Sequence, residues 1–240
     1  MFFRLGSSLA LLVFGLPIWA HFPVLVLDRN DISKGSKSLI TIRWGHPFES
    51  EWENCPEPVS LVAETPEGKI IPLKIRKTES LGGEKAITSF RAEYIPDSRG
   101  DHKIIATWPP RAEKGEEIPI REIATTWLHV QQEKGWNKAS EGWTTLTRPY
   151  GFLPGMVFQA KLPQETEFEF EMLNENPPKE LPKPTLVTFT GKTDERGIAT
   201  ISLPKSGWWA LAGNQNSKTH EGTPLRTHHV LWLKVDASDK

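Results

Sequence analysis

The chain has 240 residues, with 29 basic against 30 acidic side chains and a formal net charge of −1. That balance offers no electrostatic field for nucleic acid or an anionic membrane surface. The one cysteine, Cys55, excludes an internal disulfide framework, and twenty prolines beside ten tryptophans work against long helices and favour pleated, half-buried surfaces.

Residues 1–20 have the three parts of a secretory signal: a positive start at Arg4, an apolar stretch over 5–16, and Pro17-Ile18-Trp19-Ala20 ending on a small residue. The apolar stretch falls short of the roughly 20 residues a membrane span needs. The expectation is therefore an exported protein, periplasmic or secreted, cut after Ala20 so that His21 becomes the first residue. An uncleaved anchor is the alternative.

The rest reads as short alternating segments with turn signals between them. Residues 24–27, 39–44, 59–62, 70–75, 87–94, 103–108 and 122–130 make a first set of strands. A stretch without periodicity, 133–145, is expected as a linker. A second set follows at 156–160, 167–172, 186–190, 197–203, 208–212 and 230–235. The fold class expected is all-β, with two β-sandwiches in tandem over 21–132 and 146–240, the first immunoglobulin-like. In the second, the turn at Thr193-Asp194-Glu195-Arg196-Gly197-Ile198-Ala199 followed by Leu203-Pro204 resembles the carboxypeptidase-regulatory, transthyretin-like sandwich. Thr193-Asp194-Glu195-Arg196-Gly197 reads as a turn between two strands. It lacks the alternating carboxylates of a calcium loop. Cys55, followed by Pro56 in a polar loop, is expected as a free exposed thiol.

Chemistry rests on the seven histidines. His21 carries the strongest chemical argument, because a first-position histidine closes a chelate with its α-amine and ring Nδ1. His46, in Trp44-Gly45-His46-Pro47-Phe48-Glu49, is presented from a loop stiffened by Pro47, and Glu49 is a candidate oxygen ligand or imidazole-orienting group. His129 shares a strand face with Thr125 and Trp127 and is a further candidate ligand. His102 falls in step with Ile104, Ala106 and Trp108 and reads as structural. His228 and His229 are strand neighbours pointing to opposite faces, so at most one can join a given site. His220 sits in a polar loop and reads as solvated. No nucleophile elbow, zinc helix or phosphate-cradling loop is present, so no catalytic residue is assigned.

With His21 and Gly45-His46-Pro47-Phe48-Glu49, the chain resembles a family of exported bacterial proteins, a domain of unknown function described as the periplasmic component of cobalt and nickel uptake systems. Leu146-Thr147-Arg148-Pro149-Tyr150-Gly151, Gly155-Met156-Val157-Phe158-Gln159 and Gly207-Trp208-Trp209 extend the resemblance over most of the sequence. It implies two β-sandwich domains that bind a divalent transition metal, with a membrane metal transporter as partner. The matching ligands are His21 and His46. Nickel or cobalt is the expected metal, and copper suits a nitrogen-rich site at least as well. Binding by such a chelate weakens in acid, because amine and imidazole ligate only when deprotonated. Two other readings stand beside this one: a metal-free adhesion or carbohydrate-binding module, and a copper oxygenase built on a histidine brace.

Overall fold

In the computed structural model, the described residues are 21–82, 85–112, 117–138, 142–162, 166–175, 189–219 and 221–237. The expected signal segment and His220 lie outside them. Among the described residues there is no helix, and every regular element is a strand. The first half holds β1 (Phe22–Leu27), β2 (Asp31–Ile32), β3 (Ser38–His46), β4 (Glu51–Trp52), β5 (Ser60–Glu64) and β6 (Ile70–Pro72). It continues with β7 (Arg76–Gly82), β8 (Lys85–Tyr94), β9 (Gly100–Thr107) and β10 (Ile120–Val130). The second half holds β11 (Thr144–Thr145), β12 (Val157–Lys161), β13 (Glu167–Met172), β14 (Phe189–Lys192), β15 (Ile198–Ser202), β16 (Gly207–Lys218) and β17 (Pro224–Val235).

The all-β expectation holds. The arrangement of its halves is more intimate than a linker between sandwiches would give. One sheet runs β14-β13-β16-β17-β10-β9-β5-β6, with β2 added on β10. It crosses the halves where β10 and β17 pair in parallel, Glu122 beside His228 and Ala124 beside Val230. On one face lies a sheet of β1-β3-β8-β7, with β4 beside β3, and on the other a small sheet of β11-β12-β15.

The alternation of side chains explains the three layers. Along β16, Trp208, Ala210 and Ala212 enter the core shared with β1, β3 and β8, while Trp209 and Leu211 enter the core under β12 and β15. Along β17, Val230 and Trp232 go to the first core, and Leu231, Leu233 and Val235 to the second. A strand buried on both faces needs a continuous apolar run rather than alternation, and 230–233 is such a run. The stretch expected as a linker is laid against this central sheet. The backbone N–H of Asp101 donates to Lys134 O at 2.8 Å, Trp143 is buried, and β11 begins at Thr144.

β1 is tied down at its front. The indole of Trp232 donates to Pro23 O at 2.8 Å, satisfying a group that would cost about 1–3 kcal/mol if buried without a partner. One local expectation changes. Cys55 is buried, its thiol donating to Pro56 O at 3.3 Å, and burial beside the Glu122 carboxylate pushes it up to about 12. The Asp194 turn is as expected, and its carboxylate is used locally: Oδ1 accepts from the backbone N–H groups of Arg196 and Ile198 at 2.9 and 2.8 Å.

Candidate functional site

β1 and β3 are antiparallel, with Phe22 opposite Gly45 and Pro23 opposite Trp44. One further step of that register puts His21 across from His46. Their ring centroids are 4.8 Å apart, with the planes tilted by 42°. Neither histidine is enclosed: His21 keeps 28 % of its side-chain surface and His46 is half-buried.

Gly45 makes the approach possible. Its backbone has φ of 142°, a conformation that L side chains avoid, and a Cβ there would lie 2.2 Å from the carbonyl oxygen of Glu51. β4 therefore folds back tightly along β3, pairing Gly45 with Trp52 and His46 with Glu51. Glu53 follows at once, its backbone N–H donating to Trp44 O at 2.9 Å. From that anchored position its carboxylate lies 3.1 Å from His21 Nε2. An ionised carboxylate only accepts, so Nε2 carries the hydrogen, and in the neutral ring the lone pair is on Nδ1.

The turn after His46 is docked on the central sheet. The N–H of Phe48 donates to Glu171 Oε1 at 3.1 Å, and the N–H of Asn174 donates to Pro47 O at 3.0 Å. Glu171 is buried, so its bond to Phe48 is charge-assisted and shielded from water. Glu49 occupies the same turn, half-exposed, and has no hydrogen bond or ion pair with any described residue. The carboxylate that meets the His21 ring is that of Glu53.

His129 lies elsewhere. Glu122 of β10 neighbours His228, whose ring meets Phe22, the residue after His21, at 6.3 Å between centroids. Seven residues further along a strand is about 23 Å, and there His129 Nδ1 pairs with Asp101 Oδ1 at 2.7 Å while its ring stacks on Tyr150 at 4.0 Å. The second oxygen of the buried Asp101 accepts from the N–H of Lys134 at 2.8 Å. Arg148 sits over the Tyr150 ring and pairs with Glu133. The Thr147-Arg148-Pro149-Tyr150-Gly151 stretch thus fastens the 133–151 region to β10, and His129 is part of that fastening.

His102, His228 and His229 follow their expected places. His102 is fully buried, bonded through Nδ1 to the Tyr94 hydroxyl at 2.9 Å and through Nε2 to Ser98 O at 3.1 Å. Burial holds it below the usual imidazole range. His228 and His229 diverge to opposite faces: His228 meets Phe22, and His229 Nε2 lies 3.2 Å from Gln215 Oε1. Burial, with His228, Arg121 and Lys103 adding to it, lowers His229 to about 3.

Among the described residues, no three His, Cys, Asp or Glu side chains converge as a metal cage. The His21–His46 pair supplies two imidazoles. A third nitrogen, the α-amine of His21, exists only if the chain is cut after Ala20.

Residues 18–216 match a protein family described as a domain of unknown function, DUF4198. No curated protein matches the sequence. Among solved structures, a DUF4785 family protein from Legionella pneumophila is 11 % identical, over 79 % of this chain and 52 % of its own, with a TM-score of 0.29. Native Escherichia coli alpha-2-macroglobulin is 12 % identical, over 90 % of this chain and 14 % of its own, with a TM-score of 0.27. The Yersinia pseudotuberculosis adhesin InvE is 15 % identical, over 87 % and 58 %, with a TM-score of 0.25. The chain spans about half the length of the Legionella protein and a smaller part of the macroglobulin.

Proposed function

We propose that this chain, which belongs to the DUF4198 family of domains of unknown function, is an exported protein that captures a divalent transition metal and passes it to a membrane transporter. Nickel or cobalt is the cargo proposed, with copper an equally good chemical fit to nitrogen ligands.

One observation carries the reading: His21 faces His46 at 4.8 Å while Glu53 accepts from His21 Nε2. A metal-binding imidazole commonly donates its second ring nitrogen to a carboxylate, which fixes ring orientation and tautomer. Here the fixed tautomer frees Nδ1, the nitrogen nearest the backbone and the one able to chelate together with an α-amine. His46 then adds a second imidazole from the neighbouring strand. The half-exposed setting favours cargo that must be both taken up and released.

The test is to purify the natively exported protein, sequence its N-terminus and measure its metal content. The reading expects His21 as first residue and nickel or cobalt near one ion per chain. A mature chain starting elsewhere removes the chelate. A correctly cut chain that is metal-free and takes up no Ni²⁺, Co²⁺ or Cu²⁺ supports the adhesion or carbohydrate-binding reading instead.

A further inference from the structure

A separate cleft opens on the face of the central sheet that also carries His228. Its volume is about 540 Å³, and Glu167, Glu169, Thr190, Lys192, Asn214 and His228 are the polar residues of its lining, with Lys192 opposite Glu167 across the strand pair. That volume lies in the range that holds small organic ligands.

The strand pattern explains both the cavity and its polarity. β13 alternates Glu and Phe, and Phe168 packs into the core on the far side, so Glu167 and Glu169 share the cleft face. Glu169 pairs with Thr190 on one side and Ala212 on the other, while Asn214 pairs with His228. Alanine at 212 leaves the depth that a larger side chain would fill.

The electrostatics select a positive charge. Glu169 is half-buried with no hydrogen bond or salt bridge to a described residue, and burial raises its carboxyl while the nearby His228 works against that rise. Behind His228 stands Glu122, only 4 % exposed, with Oε1 lying 3.8 Å from His228 Nδ1 and accepting from Arg111, and with Oε2 buried and unpartnered. The cleft therefore carries two carboxylates, Glu167 and Glu169, against one ammonium, Lys192, and the Glu122 carboxylate behind His228 is paired with Arg111. A desolvated carboxylate is most improved by a donor that brings its own charge. No three metal-ligating side chains converge here or elsewhere among the described residues, and a lone ion would leave most of the cavity unfilled.

We infer that this cleft binds a small organic cation, with an ammonium group held by Glu169, Glu167 at the rim, and Thr190 and Asn214 bonding its remaining polar groups. The lining includes neither His21 nor His46, so failure of this inference leaves the metal reading untouched.

The probe is 1,4-diaminobutane, titrated calorimetrically into the metal-free full chain, with 1,4-butanediol as the uncharged control. The inference expects saturable binding of the diamine, none of the diol, and a loss of at least about tenfold in Glu169→Gln, the scale of one charge-assisted hydrogen bond. No diamine binding, equal binding of the diol, displacement of the diamine by equimolar Ni²⁺, or an unchanged Glu169→Gln would overturn it. Should Glu169→Gln lose its near-ultraviolet tryptophan signature, the exposed double variant Glu167→Gln/Thr190→Val decides. A loss of threefold or more upholds the cleft, and unchanged affinity overturns it.

Discussion

His21 and Glu53 meet at 3.1 Å although all of β1 to β4 lies between them in the chain. The contact exists because β4 returns along β3 at Gly45, so the residue after β4 comes beside the residue before β1. The pair decides which nitrogen of His21 faces a ligand, and several outcomes follow from it.

Replacing Glu53 separates its role from that of Glu49. Glu53→Gln or Glu53→Ala should weaken Ni²⁺ binding by processed protein about 10- to 100-fold, the usual effect of removing a carboxylate behind a ligating imidazole. Glu49→Ala should leave affinity within about twofold. Calorimetric titration of the three variants measures the difference, and an equal loss in all of them would remove Glu53 from its orienting role.

Gly45→Ala should dismantle the site through the backbone. The substitution places a Cβ 2.2 Å from Glu51 O at a φ of 142°, so β4 must pull away from β3. A cost of about 2–4 kcal/mol is expected from strain and lost pairing, read as a lower midpoint in thermal or denaturant unfolding. A midpoint unchanged from the parent would mean that β4 is not held by this glycine.

Much of the fold is legible in the sequence because burial imposes period. β3, β8 and β13 alternate in the chain as they do in space, and the apolar run at 230–233 marks a strand covered on both sides. β7 escapes notice: Arg76-Lys77-Thr78-Glu79-Ser80-Leu81-Gly82 has no apolar alternation, and only its pairing with β8 makes it a strand. The central sheet is likewise hidden, since the parallel pairing of β10 with β17 joins residues about a hundred positions apart. At the site, His21 and His46 are readable as suggestive residues. Glu53 is not, because it reaches His21 only through the fold-back of β4. His129 is assigned to its strand face correctly, but a face carries no distance along the sheet.

His129 should therefore matter for stability and not for metal. Its imidazole is the side-chain partner of a buried Asp101 carboxylate. His129→Ala removes the imidazole from that buried charge, at a cost of about 3 kcal/mol. Ni²⁺ affinity of the folded variant should equal the parent's. Lowered affinity at full folding would return His129 to the ligand set.

Acid should destabilise the protein through its buried imidazoles. His229 is lowered by burial to about 3, and His102 is lowered in the same direction. Unfolding returns both to an ordinary imidazole near 6.5. Below that pH the unfolded chain takes up protons that the folded chain refuses. Their contribution is fully present above about 6.5 and is lost progressively as pH falls towards 3. Unfolding midpoints measured from pH 7.5 to 4.5 should decline steadily, and His229→Gln should flatten the decline. A slope unaltered by His229→Gln would place the acid sensitivity elsewhere.

The most direct measurement compares Ni²⁺ affinity of protein beginning at His21 with protein carrying one extra alanine before it. The extra residue leaves both imidazoles and Glu53 in place and removes only the amine from His21. The account predicts at least about tenfold weaker binding in the extended form. Equal affinity in the two forms would contradict the amino-terminal chelate.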